Sequence, residues 1–162
     1  MASETPKKSS GRSTTIHFLR YGLPVFVVMA AIFTVSQMSA ATIDDSSAYD
    51  SASGLFGQFT GEVAHFVEYF VLSALVMRWI LAVKVPSGSG TLDPAMLRSA
   101  GQKAVALTVL YAISDEGHQW FVDGRSVELI DLLIDSVGSV MGSAVYLSVF
   151  QAWRLQRSRD RS

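Results

Sequence analysis

The sequence predicts an all-α fold: an integral membrane four-helix bundle with both termini in the cytoplasm. Three observations carry this: long stretches without charge, turn-forming residues between them, and a separation of basic from acidic residues along the chain. The bulk numbers alone hide it. With 162 residues, a net charge of −1, 49% hydrophobic and 17% charged residues, the chain would pass for one ordinary domain. The absence of cysteine excludes a disulfide scaffold, a thiolate zinc site, an iron–sulfur cluster and a cysteine nucleophile. The near-neutral balance lacks the basic excess of a nucleic-acid-binding protein.

The first span is Tyr21–Ala41, which carries no charged side chain and has roughly the 20 residues that ~30 Å of hydrocarbon requires. Pro24 is expected in its first turn, where proline is tolerated. The run is too long, and its polar leader too extended, for a typical cleaved signal peptide, despite small residues at Ser39 and Ala41. A second span, Val63–Val83, is interrupted by His65, Glu68 and Arg78. The third is built around Ala104–Ser114; Asp93-Pro94 reads as an N-cap followed by proline at the first helical position. The fourth, Leu129–Trp153, follows Ser126 and Glu128 and carries Asp131 and Asp135 at its start. The Pro86–Thr91 segment, with alternating Ser and Gly, reads as a linker. Residues 1–15 are expected to be a disordered tail, residues 16–153 the transmembrane domain, and residues 154–162 a basic tail.

Four crossings put both termini on one side. That side receives twelve of the thirteen Lys and Arg residues, leaving only Arg125 opposite. The positive-inside rule then places both termini in the cytoplasm. Eleven of the fourteen acids fall on the other side or in the outer helix ends. Acids contribute little to topology, so this second asymmetry needs a separate cause.

At the outer boundary the polar residues recur at helical spacing. His65 stands three residues from Glu68 and four from Tyr69; Asp115 stands four from Gln119; Asp131 stands four from Asp135, with Gly138 and Gly142 on the same stripe. Such groups are costly against lipid, so these stripes are expected to face the bundle interior or a wet cavity. Gly138 and Gly142 form a small-xxx-small pair that allows close helix approach.

The ordered set His65-Phe-x-x-Tyr69, Asp115-Glu116-x-x-Gln119, Arg125 and Asp131-x-x-x-Asp135-x-x-Gly138-x-x-x-Gly142 resembles the VanZ-like family. These are small bacterial integral membrane proteins named after a component associated with teicoplanin resistance. The resemblance covers residues 20–150 and implies a cell-envelope protein connected with glycopeptide resistance. Two positions depart from the family pattern. Thr60–Ala64 lacks the basic residue usually found before the histidine, and Asp135 stands where asparagine is usual.

Three function classes fit these residues. In the first, His65, Glu68, Tyr69, Asp115, Glu116, Gln119, Arg125, Asp131 and Asp135 form a binding site for an envelope lipid, a peptidoglycan precursor or a glycopeptide. Arg125 would hold a phosphate or carboxylate. In the second, His65, Glu116 and Asp131 are catalytic in a membrane-embedded enzyme, as a histidine–carboxylate base or around a divalent metal held by His65, Glu68, Glu116 and Asp131 with His118 as a spare ligand. No HExxH-type signature is present. In the third, the cluster only holds the helices in register. Trp120 and Phe121 read as interfacial anchors. A transporter is disfavoured because four helices without repeats offer little for alternating access.

Overall fold

A computed structural model describes residues 10–37, 57–85, 93–122 and 128–160. Among these residues the structure is all-helical, with four helical rods. The first is composite: α1 (Ser10–His17), a π-helical turn (Phe18–Gly22) and α2 (Leu23–Ser36). The others are α3 (Gly57–Lys84), α4 (Pro94–Gln119) and α5 (Leu129–Arg159).

The first rod differs from expectation in an informative way. Helix starts at Ser10, inside the segment read as a tail, and runs straight through Pro24. A proline there lacks the N–H for an i→i−4 bond, and its ring crowds the carbonyl one turn back. The chain answers by widening the preceding turn. The Leu23 N–H bonds the Phe18 carbonyl, five residues back, which is the π pattern. Gly22 faces inward here, and a side chain at that position would meet the Phe18 ring at 2.8 Å and Trp79 at 3.2 Å. The expected cap of α4 is present: the Asp93 carboxylate accepts from the Ala95 N–H at 2.9 Å. Helix α5 continues to Arg159, into the predicted basic tail.

The rods run alternately in opposite directions. At one end, His17 Nε2 lies 3.3 Å from the Ala82 carbonyl, and the Arg78 guanidinium sits 4.9 Å over the Tyr21 ring. At the other end, Ser36 meets Asp115, and His65 meets Asp131. We call these the basic and acidic ends.

The tightest pairing is α3 on α5. A Cβ at Gly138 would stand 2.6 Å from the Phe66 carbonyl oxygen, and one at Gly142 would overlap the Phe70 carbonyl. Only glycine permits that approach. Beside it, the buried Ser73 hydroxyl donates to the Ser139 carbonyl at 2.6 Å and lies 2.6 Å from the Ser143 hydroxyl. On the other flank, the Tyr111 hydroxyl donates to the Met29 carbonyl at 2.7 Å and ties α4 to α2.

Three helices are long and apolar enough to cross a membrane: Thr14–Ser36, Gly61–Lys84 and Leu129–Arg157. The expectation of four such spans is met in three. Helix α4 has the length, 26 residues, but Arg98, Lys103, Asp115 and Glu116 remove it from that class. The surfaces are inverted relative to a water-soluble bundle. Ser73, Thr108, Glu116, Gln119 and Asp135 are buried, while Phe33, Leu107, Leu110, Leu133 and Val145 are exposed.

Candidate functional site at the acidic end

Helical periodicity turns the polar stripes inward, as expected. Asp115, Glu116, Gln119 and Asp135 are buried, Asp135 completely. Their hydrogen bonds divide into two groups, however. Asp115 and Glu116 are sequence neighbours, about 100° apart around α4, and they reach different helices.

Asp115 turns toward α2. Its Oδ2 accepts from the Ser36 hydroxyl at 2.9 Å and from the Gln119 amide at 3.5 Å. One turn on, His118 hydrogen-bonds Gln37 through Nε2 and packs against Phe33, with ring centroids 4.9 Å apart. His118, expected as a spare metal ligand, therefore belongs to the α2–α4 contact rather than to the His65 group.

Glu116 turns toward α5, where its Oε2 accepts the Glu128 backbone N–H at 3.2 Å. That bond holds the start of α5 against α4 and satisfies a donor that a helix start leaves without an intrahelical partner. His65, from α3, faces the same space. Its Nδ1 lies 3.2 Å from Asp135 Oδ1, and its Nε2 lies 3.9 Å from Asp131 Oδ2. Of the two aspartates on α5, Asp135 is the deeper and nearer partner, whereas the Asp131 side chain is 19% exposed. Asparagine at position 135 would present the imidazole with a neutral amide; this chain presents a carboxylate. One ligand atom each from His65, Glu116 and Asp135 lies within 4.8 Å of the others.

Among the described residues, several buried oxygens here have no hydrogen-bond partner: Tyr69 Oη, Asp115 Oδ1, Glu116 Oε1, Asp135 Oδ2 and Ser139 Oγ. Tyr69 lies within electrostatic reach of both Asp115 and Asp135, and Glu68 within reach of His65. Tyr69 is fully buried and Glu68 half-buried. Trp120 and Phe121 are largely exposed beside it. Arg125, together with Asp123, lies outside the described residues.

Ser36, Gln37 and Ser139 line or tie this site without any signal in the sequence. Each is a small polar residue in an apolar helix, and spacing alone does not reveal which neighbour it meets.

No curated protein and no solved structure matches the chain. The family comparison does: the VanZ/LLP1 family model matches residues 2–151. The inward His65, Asp115-Glu116-Gln119 and Asp131/Asp135 stripes and the glycine pair on α5 are the features that suggested this family from sequence. With nearly the whole chain matched, the protein belongs to the VanZ/LLP1 family.

Proposed function

We propose that this chain is a four-crossing protein of the bacterial cytoplasmic membrane, with both termini cytoplasmic, and that its acidic end is an outward-facing binding site. The ligand class is the headgroup of an envelope lipid or a lipid-linked peptidoglycan precursor. The observation that carries the reading is the convergence of half-buried His65 with buried Glu116 and Asp135 from three helices, with carboxylate oxygens that have no partner among the described residues. A buried acceptor oxygen left without a partner costs stability, so a site that keeps several is maintained for something other than packing.

Two further features support it. Helix α4 buries Ala100, Ala104, Thr108, Ala112, Asp115 and Glu116 and exposes Leu107, Leu110 and Ile113. Its polar groups thus face protein and its apolar groups face outward, as a fourth crossing requires. An apolar cleft of about 630 Å³ runs along α2, α3 and α4 from Lys84 and Lys103 up to Tyr111, one turn below Asp115. That volume suits an acyl chain.

The structural reading of the cluster is weaker because the α3–α5 register is already set elsewhere, by Gly138, Gly142 and Ser73. Helix register needs no carboxylate oxygens left without partners.

The test is binding by the full chain in nanodiscs, with polyprenyl-pyrophosphate-linked precursor, phospholipid and teicoplanin as separate probes. Wild type should bind one of them saturably, and Glu116→Ala and Arg125→Ala should weaken that binding while remaining inserted. A family-type role in resistance adds a cellular readout: altered glycopeptide susceptibility in the same variants. Unchanged binding and susceptibility in both inserted variants would leave only the structural role.

A further inference from the structure

We propose that His65, Glu116 and Asp135 form a divalent-cation site. The argument begins with charge. Glu116 and Asp135 bring two carboxylates into the interior at 4% and 0% exposure, and no lysine or arginine pairs with them among the described salt bridges. A dication with a neutral imidazole makes the group electroneutral, which is the condition for carboxylates to persist in such a place.

Geometry agrees. Metal–ligand distances of about 2.0–2.2 Å imply that adjacent ligand atoms of one ion stand about 3.3–3.6 Å apart. His65 Nδ1 and Asp135 Oδ1 are already 3.2 Å apart, and the third ligand atom lies within 4.8 Å. Closing the set from 4.8 Å to that spacing takes a shift of an ångström or so. The oxygens without partners, Glu116 Oε1 and Asp135 Oδ2, are the second and independent observation. Each is a strong acceptor held away from water beside the imidazole, and a cation supplies the missing partner. The Glu116 Oε2 bond to the Glu128 N–H then orients the ligand from outside.

The donor set selects the ion. One imidazole with two carboxylates suits zinc or manganese, whereas calcium prefers six to eight oxygens. Three protein ligands leave coordination positions open, and an open position beside a lipid headgroup would accept a phosphate oxygen. That last step rests on the headgroup reading above; the cation site does not.

The experiment uses the full chain purified in mild detergent, stripped with EDTA and re-equilibrated with Zn²⁺ or Mn²⁺ alone, with bound metal measured by mass spectrometry. Co²⁺ substitution adds a spectroscopic signature of the imidazole–carboxylate shell. Wild type should retain about one ion per chain. Glu116→Gln and Asp135→Asn, which keep size and shape, should lose affinity about tenfold or more. His118→Gln, at a position in the α2–α4 contact, should retain it and so control for non-specific histidine binding. Helix content and a monodisperse gel-filtration peak establish that each variant is folded. Absence of stoichiometric metal in wild type would overturn the proposal, as would equal retention by Glu116→Gln and Asp135→Asn. Stoichiometric metal without any headgroup binding would instead sink the proposed function and leave the cation site standing.

Discussion

Replacing Gly142 with alanine tests the packing that positions the site. A methyl at this position overlaps the Phe70 carbonyl and stands 2.9 Å from its carbon; at Gly138 it stands 2.6 Å from the Phe66 carbonyl oxygen. Comfortable carbon–oxygen contact begins near 3.3 Å, so α3 and α5 must separate by roughly 0.7 Å for Gly138→Ala and more for Gly142→Ala. The obstacle in both cases is backbone, which cannot rotate away. Overpacking of this kind costs about 1–3 kcal/mol. The shift also strains the two 2.6 Å contacts of Ser73, worth about 0.6 kcal/mol each on the scale of measured interhelical bonds in membranes. Gly142→Ala should therefore lower stability by about 2–4 kcal/mol, or roughly 4–15 °C in Tm for a chain of this size. Gly101 and Gly117 are the internal control, since a Cβ at either meets nothing within 4 Å. Alanine there should raise stability by about 0.5–1 kcal/mol through helix propensity. Thermal unfolding of the full chain in mild detergent, followed by tryptophan fluorescence, measures all of these. Equal Tm values for Gly142→Ala and Gly101→Ala would refute the close α3–α5 approach.

Other outcomes follow from the same structure. Ser73→Ala removes both buried serine contacts without a clash and should cost about 1 kcal/mol, less than Gly142→Ala in the same assay. Metal-free Glu116→Gln should melt above metal-free wild type, because it removes a buried charge at constant volume; added Zn²⁺ should raise the wild-type Tm and leave the variant unmoved. Pro24→Ala restores a backbone N–H and should let the π turn close, moving Phe18 and Phe26 relative to Trp79, from which they now stand 6.2 and 5.9 Å. A shifted tryptophan emission spectrum reads this out, and an unchanged one counts against the proline as the cause. Reporter fusions after Ser162 and within residues 45–55 should report cytoplasmic and external positions respectively; an external C-terminus would reject the four-crossing layout.

The helices were legible because charge-free runs and their flanking residues act locally. Asp93-Pro94 caps α4 as its residue types dictate, and the i, i+4 spacing of Asp115 with Gln119 is enough to send both inward. The π turn was not legible. Proline at position 24 fits a first turn as well as a repaired mid-helix turn, and the choice depends on Phe18, Gly22 and Trp79 packing across helices. Periodicity also assigns a residue to a face without naming the helix opposite. Glu116 therefore could not be separated from Asp115 in advance, although the first meets α5 and the second α2. For the same reason Asp131 looked equivalent to Asp135, when depth along α5 makes Asp135 the histidine's partner.

Helix α4 shows what composition hides. Hydropathy averages around the whole circumference, so Asp115 and Glu116 count against a span even though both are buried by neighbours. Alone in a bilayer, α4 would expose those carboxylates to lipid at a cost of several kcal/mol. Beside α2 and α5 it gives them the Ser36 hydroxyl and the Glu128 N–H instead. As the proposed fourth crossing it would depend on its partners, whereas the other three helices are long and apolar enough to cross by their own composition. The residues that make α4 a poor independent span are the same ones that furnish the acidic end. On this reading a functional polar site and an insertion-incompetent helix are two consequences of one choice of side chains, and the close α3–α5 pair is the preformed surface against which α4 can dock.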